Sequence, residues 1–224
     1  MRLEMRRTQS NKTEFTMQQP NLEKRGATQR ALSNNLHRQG GWTLAEIGAA
    51  IAIIIFLVAI GYPSMKGYFI QGRVPAAAGE LQRFMSTSRI MGEGDSATPY
   101  ASINNSQNLA PSMRDSTVFK VTGSTVAHRL GGTGVGSNGT ITIEPAALGG
   151  GAVGSAFLLR LTNVNHRACP ILASTMNGIS EMISVNGTAA KTLGANNETG
   201  SFNAVTAQDL CVNGDNNTFV FATR

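Results

Sequence analysis

One apolar run, residues 44–62, constrains the fold of this chain more than any other feature of its sequence. Sixteen of its nineteen residues are apolar, two are glycine, and the remaining one is Glu46. As a helix rising about 1.5 Å per residue, the run is roughly 28 Å long, enough to cross the hydrocarbon core of a bilayer. No polar face interrupts Ile47 to Ile60, so a buried helix of a soluble protein is the weaker interpretation. The sequence contains no second such run and therefore predicts at most one membrane crossing.

Charged residues on either side of the run indicate its orientation. Residues 1–41 contain eight Lys or Arg against three acidic residues, whereas residues 42–224 contain eleven against ten. Because positively charged flanks stay in the cytoplasm, the N-terminus is expected there and residues 64–224 on the far side of the membrane. The basic excess belongs to the N-terminal tail, and the rest of the chain has no basic stripe. No nucleic-acid partner is therefore expected.

A secretory signal peptide is the alternative interpretation of the N-terminus. Residues 59–61, Ala-Ile-Gly, are similar to a small-x-small cleavage site. A charged region of about 40 residues is too long for an ordinary signal, although a start at Met17 would shorten it. Glu46 also lies within the apolar run, where a carboxylate costs about 2.5–3.5 kcal/mol on insertion scales. A discarded segment has no need of such a residue, so a secreted binding domain with a disulfide is the remote alternative.

The residues around Gly41 resemble the processing site of type IV prepilins. In this family a glycine precedes a large apolar residue, here Trp42, and a glutamate stands fifth after the cut, here Glu46. Pro63 is the twenty-second residue after the cut, where pilins often carry a proline that kinks the helix. The long polar leader, Trp as the first mature residue and a late pair of cysteines are most similar to the type IVb subclass.

The resemblance implies a specific processing reaction. Prepilin peptidase, a membrane aspartyl protease, would cut between Gly41 and Trp42 on the cytoplasmic side, and the same enzyme family would N-methylate Trp42. The mature chain, residues 42–224, would keep its apolar helix. In pilins the glutamate at the position of Glu46 pairs with the amino terminus of a neighbouring subunit, whereas a carboxylate reaching the nearby interface is the alternative. The leader of 41 residues is long even for this subclass, and a start at Met17 would leave 25.

A long helix is expected to continue beyond the membrane. Pro63 lacks an N–H and clashes with the carbonyl group of residue 59, so we predict a kink or local melting of the helix near Ala59–Pro63. We expect one long, bent helix over about 43–92, in which residues 42–63 form the transmembrane and fibre-core part and residues 64–93 an amphipathic continuation. The apolar stripe of that continuation recurs at three- and four-residue spacing and should pack under a globular head. Its members are Ala77, Leu81, Phe84, Ser88 and Met91.

The head, residues 94–224, reads as a mixture of strands and turns. Short β-prone runs alternate with glycine-rich stretches, and residues 170–181 are typical of a helix. An antiparallel sheet packed on the long helix would bury both apolar faces. The predicted fold is therefore α+β, with a long bent N-terminal helix packed against an antiparallel-sheet head. The predicted strands are Thr117–Val121, Thr140–Glu144, Phe157–Thr162, Met182–Val185 and Thr218–Phe221.

Two cysteines and three histidines limit the chemistry of the head. Under the predicted orientation Cys169 and Cys211 lie where disulfides form, and their bond would close a loop worth roughly 4 kcal/mol. Two reduced, buried thiols are the alternative. The composition excludes a Cys₄ zinc site and argues against a histidine metal site, so we expect no metal and no cofactor. His128 and His166 have no nearby nucleophile and are expected on the surface or in loops.

No motif in the sequence indicates an enzyme. Residues 134–139 fit the pattern G-x-G-x-x-G, but a strand follows where a dinucleotide site needs a helix.

The expected function is that of a structural pilin subunit, held in the inner membrane as a single-pass precursor and then polymerised into an extracellular type IV pilus. The fibre would serve adhesion, aggregation or conjugation. The resemblance implies as partners further copies of the chain, prepilin peptidase, an assembly platform, a separate ATPase and an outer-membrane secretin. A pseudopilin of a type II secretion system or a minor pilin is the alternative.

Overall fold

The structure is a computed structural model that describes residues 42–94, 96–193, 198 and 200–224; the side chains of residues 63 and 64 are not described. The predicted leader, including Gly41, lies outside the described residues. The chain divides into two units, Met1–Thr43 and Leu44–Arg224, and the long helix and the head both belong to the second. The helices are α1 (Leu44–Gly92), α2 (Ala110–Met113, preceded by a π-helical turn at Asn105–Leu109), α3 (Cys169–Met176) and α4 (Ala204–Asp209), and the strands are β1 (Lys120–Thr122), β2 (Thr125–Ala127), β3 (Thr140–Ala146), β4 (Ala156–Val164), β5 (Met182–Val185), β6 (Thr188–Lys191) and β7 (Asn217–Thr223).

Helix α1 confirms the prediction of one long helix at the N-terminus. It was expected over about 43–92 and extends from Leu44 to Gly92. The helix continues without a break past Pro63, so local melting at this proline does not occur, and the kink at Pro63 remains a prediction. The chain leaves the helix through Gly94, whose φ of +79° is a conformation that only glycine adopts readily.

The strands of the head form an antiparallel sheet, which has seven strands within the described residues and the order β1-β2-β3-β4-β7-β5-β6. β4 and β7 lie at its centre, with Leu159 paired to Phe221. The two inward-facing phenylalanines Phe219 and Phe221 are fully buried, as the two-residue period of a half-buried strand requires. The predicted strands at 140–144, 157–162, 182–185 and 218–221 are confirmed, and the first one lies later than expected, in β1.

The second half of α1 contributes the helical side of the core. Val74 and Met85 are fully buried, and of the predicted stripe Ala77, Leu81 and Phe84 are confirmed as core residues. Ser88 is half-buried. Met91 was expected in the stripe, but it is 74% exposed. At 100° per residue Met91 lies about 80° around the helix from Leu81, which places it beyond the edge of the buried face.

The predicted disulfide is present between Cys169 and Cys211, whose Cα atoms are 6.1 Å apart. It joins the first residue of α3 to the segment that follows α4. Helix α3 ends at Met176, five residues before the predicted end at residue 181, because the chain turns towards β5 after Asn177. With the long helix, the antiparallel sheet and this disulfide, the predicted fold class is confirmed.

Candidate assembly surface

The first half of α1 presents an apolar surface that the head leaves uncovered. We call residues 44–62 of α1 the anchor segment. Its large hydrophobic side chains are between 45 and 91% exposed. Among the described residues, α1 is the one helix long and apolar enough to cross a membrane, and its most apolar window has a mean hydropathy of 2.6 and no buried residue. An apolar surface of this extent needs a cover that the described head does not supply.

Glu46 lies at the N-terminal end of this surface. It is in the first turn of α1 and its side chain is exposed. The first turn of a helix has backbone N–H groups without helical partners and the positive end of the helix dipole, so it favours a carboxylate. Trp42, two residues before the helix begins, is 72% exposed. Of the predicted site residues, the structure brings Cys169 and Cys211 into direct contact, while Trp42 and Glu46 lie at the start of the anchor segment.

A polar cluster fastens the next turns of α1 to the head. Lys66 Nζ donates to Asp215 Oδ2 at 3.1 Å, Gly132 N donates to the same oxygen at 3.1 Å, and Asn165 Nδ2 donates to Oδ1 at 2.5 Å. Burial raises the pKa of Asp215, but the hydrogen bonds from Asn165, Lys66 and Gly132 outweigh it and leave that pKa below its ordinary value. Asp215 is therefore an ionised centre that joins α1 to two loops of the head.

Arg167 adds a second contact at the same level of α1. Its guanidinium carbon lies 5.1 Å from the centre of the Tyr68 ring, within cation–π range. The Arg167 side chain also fills the space that a Cβ at position 67 would occupy, so Gly67 allows the close approach. The sequence gives no indication of these pairs because their members lie about a hundred residues apart.

His128 lies in the loop that follows β2, as expected for a histidine on the surface or in a loop, but its side chain is buried there. It is fully buried, its Nδ1 accepts a hydrogen bond from Leu130 N at 3.0 Å, and its Nε2 lies 2.7 Å from Thr162 O. Because Nδ1 accepts, Nε2 carries the proton of a neutral ring. Burial lowers the pKa of His128 to about 4. The neighbouring apolar residues Val126, Ala127 and Leu130 were a signal for this burial. His166 is half-buried in the loop after β4.

The remaining candidates add no chemical site. Residues 134–139 lie in the loop between β2 and β3, and the element that follows them is strand β3. Within the part of the chain that the structure describes, there is no group of three His, Cys, Asp or Glu residues that could hold a metal ion.

The comparison with protein families identifies the class. The model of the family described as PilS N terminal matches residues 99–224, more than half of the chain. The chain therefore belongs to this family. The predicted kinship with type IV pilins is confirmed at this level, and such proteins are structural subunits and not enzymes. No curated protein matches the chain.

Two solved pilin structures are similar to the chain at low identity. The type IVb pilin from Salmonella typhi is 18% identical with a TM-score of 0.44, over 65% of this chain and 94% of the other. TcpA, a type IV pilin from Vibrio cholerae El Tor biotype, is 14% identical with a TM-score of 0.42, over 69% of this chain and 99% of the other. The assignment to the family rests on the match over residues 99–224.

Proposed function

We propose that this chain is a pilus subunit that polymerises through its anchor segment. The observation that supports the proposal most strongly is the contrast along α1, whose second half packs under the head while residues 44–62 remain exposed on all sides. Lipid covers such a segment before assembly, and copies of the same segment cover it in a fibre. Each subunit then binds its neighbours head-to-tail, so the array grows without closing.

Before assembly, the chain spans the inner membrane once with its N-terminus in the cytoplasm. The length and apolarity of the anchor segment support the crossing. The basic residues of the first 41 positions support the orientation. The Cys169–Cys211 disulfide fits a head on the far side, because disulfides persist in the bacterial periplasm and are rare in the cytosol.

Processing prepares the chain for assembly in this proposal. Prepilin peptidase cuts between Gly41 and Trp42 and methylates the new amino terminus, so that a cationic group lies four residues before Glu46. In an apolar fibre core, a carboxylate is stable only when it is paired. Glu46 of an incoming subunit pairs with the amino terminus of a neighbour and thereby sets the axial position of the subunit.

The fibre carries the heads on its outside and serves adhesion, aggregation or conjugation. Growth requires the assembly platform, its ATPase and an outer-membrane secretin as partners. The head supplies a rigid, disulfide-closed surface for these contacts.

The Glu46→Gln variant tests the assembly step. It removes the charge and keeps the size of the side chain, so we expect processed protein in the membrane and a loss of fibres from the sheared cell-surface fraction. The matched control is Glu93→Gln, an exposed glutamate just after the other end of α1, which should give fibres at the amount of the unaltered protein. Fibres at that amount from Glu46→Gln would contradict the proposed role of Glu46.

A further inference from the structure

A groove of about 750 Å³ lies between α1 and the head, where the anchor segment ends. Its helical wall carries the large apolar side chains of Tyr62, Met65 and Phe69, which are between 56 and 70% exposed, above a buried floor at Ile70, and it also carries Lys66 and Arg73. The opposite wall consists of strands β1 and β2 and the glycine-rich loop at residues 131–136. The groove thus has large apolar side chains along the helix and is open to solvent.

Positive charge is concentrated in this groove. Four of its lining residues are basic, and none of the described residues that line it is acidic. Lys66 is paired with Asp215, whereas the other three cations form no ion pair with any residue that the structure describes. The groove therefore combines an apolar wall with an excess of cationic groups, as an amphiphilic anion requires. The three cations are Arg73, Lys120 and Arg129.

The backbone of Arg129 is held in an unfavourable conformation at the groove. Its φ of +57° lies in the left-handed region, which residues other than glycine occupy at a cost. The buried His128 fixes the backbone on both sides of Arg129. Its Nδ1 accepts a hydrogen bond from Leu130 N, the residue after Arg129, and its Nε2 donates to Thr162 O. The core of the head thereby fixes the position from which the Arg129 side chain reaches the groove.

We propose that this groove binds an anionic phospholipid from the outer leaflet of the membrane that the anchor segment spans. The phosphate lies among the cations of the groove, and one acyl chain follows the exposed face of α1 downwards. That face is continuous, because Val58, Tyr62, Met65 and Phe69 follow one another at spacings of four, three and four residues. The proposal rests on the membrane-held state described under "Proposed function".

The position of the groove along α1 favours a phospholipid as its ligand. The apolar run ends at Tyr62, so the lower end of the groove lies where the headgroups of the outer leaflet are. Anionic headgroups attract basic residues at a membrane surface, and the groove supplies three such residues that pair with no described acidic residue. A lipid bound there supports the head at a fixed height above the bilayer.

Native mass spectrometry of the full chain tests the proposal. The chain is inserted into nanodiscs of phosphatidylcholine that contain phosphatidylglycerol, transferred to detergent and examined for retained lipid. We expect retention of phosphatidylglycerol in preference to phosphatidylcholine. In the double variant Arg73→Gln/Arg129→Gln this retention should fall roughly ten- to thirtyfold, the effect of removing two basic residues at an anionic surface.

A matched control distinguishes the loss of the groove cations from a general loss of positive charge. Arg83→Gln/Arg114→Gln removes two exposed arginines outside the groove and should leave phosphatidylglycerol retention unchanged. An equal loss in both double variants, or equal retention of the two lipids, would overturn the proposal. Displacement of the lipid by millimolar inorganic phosphate would indicate a site for free anions. A dimer peak that disappears in Arg73→Gln/Arg129→Gln would indicate that a second copy of the chain occupies the groove.

The outcome also distinguishes this proposal from the function on which it rests. If the unaltered chain enters the nanodisc and retains no phosphatidylglycerol, the lipid site is wrong while the membrane anchor stands. If the chain fails to enter the nanodisc at all, the membrane-held state is wrong and the lipid site falls with it. The circular dichroism spectra of both double variants should equal that of the unaltered chain, because all four arginines are exposed.

Discussion

The two halves of α1 contain similar apolar side chains in opposite environments. Leu57, in the anchor segment, is 62% exposed, whereas Leu81, in the half that packs under the head, is fully buried. Both leucines belong to the same continuous helix. The difference comes from what lies against each half, since the second half packs against α3 and shares the core with the sheet, while no described part of the head covers residues 44–60.

The arrangement of apolar residues explains this division. In the second half they form a stripe at three- and four-residue spacing, which one partner surface can bury. In the anchor segment they surround the helix, so a single head could cover only part of them. Burial stabilises by roughly 25 cal/mol per Å² of apolar surface, and the described head does not provide this gain for the anchor segment.

The largest expected effect is the different result of truncating one leucine in each half of α1. Leu81→Ala leaves a cavity in the core and should lower the free energy of unfolding of the head by roughly 3–4 kcal/mol. Leu57→Ala should change it by less than about 0.5 kcal/mol, as at other exposed positions, but should reduce the yield of fibres. Urea unfolding of the full chain in detergent, followed by circular dichroism, measures the first effect. A loss of head stability of the same size in Leu57→Ala would contradict the division.

Acid should destabilise the head through His128 and leave the anchor segment helical. Burial lowers the pKa of His128 to about 4 from an ordinary value of 6.5. Between these values the unfolded chain binds more protons than the folded one, so the stability falls as the pH falls from 6.5 to 4. The loss should approach about 3 kcal/mol and should not grow further through this group below pH 4.

The variant His128→Gln isolates this effect. Its free energy of unfolding should be nearly independent of pH between 6.5 and 4, while His166→Gln should keep the dependence of the unaltered chain. Unfolding curves at four or five pH values provide the measurement. Unchanged pH dependence in His128→Gln would show that another group is responsible.

The smallest effect is expected where the two halves meet. Lys66→Met removes the ion pair with Asp215, in which the two side chains are 53 and 24% exposed. Such exposed pairs contribute about 0.2–1 kcal/mol. We therefore expect little loss of stability but faster hydrogen exchange in the turns of α1 next to the head, about residues 65–70. Arg160→Gln, which breaks the exposed pair with Glu144, should leave exchange in α1 unchanged.

Strong local signals made much of this fold predictable. The apolar run and the stripe behind it indicated the long helix, and β5 was predicted with its observed bounds, Met182–Val185, where the β-branched Ile183 and Val185 stand two residues apart. Strands β2 and β6 were missed. They have three and four residues, so pairing with neighbouring strands decides their conformation more than their own composition does.

The groove and the polar cluster around Asp215 could not be predicted from the sequence. Asp215 bonds to Lys66, which precedes it by 149 residues, and to Asn165, which precedes it by 50. Contacts at such separations leave no periodic pattern in a single sequence. The apolar run located the anchor segment, and the family motif, which lies within a few consecutive residues at its start, predicts a role for Glu46 that stays a prediction.

The most direct test of the central claim is the intact mass and N-terminal sequence of the subunit in sheared fibres. If the anchor segment is the assembly element, the fibre subunit begins at Trp42 with one additional methyl group. A subunit that begins near Tyr62 would have lost the anchor segment to signal peptidase. That result would contradict assembly through this helix.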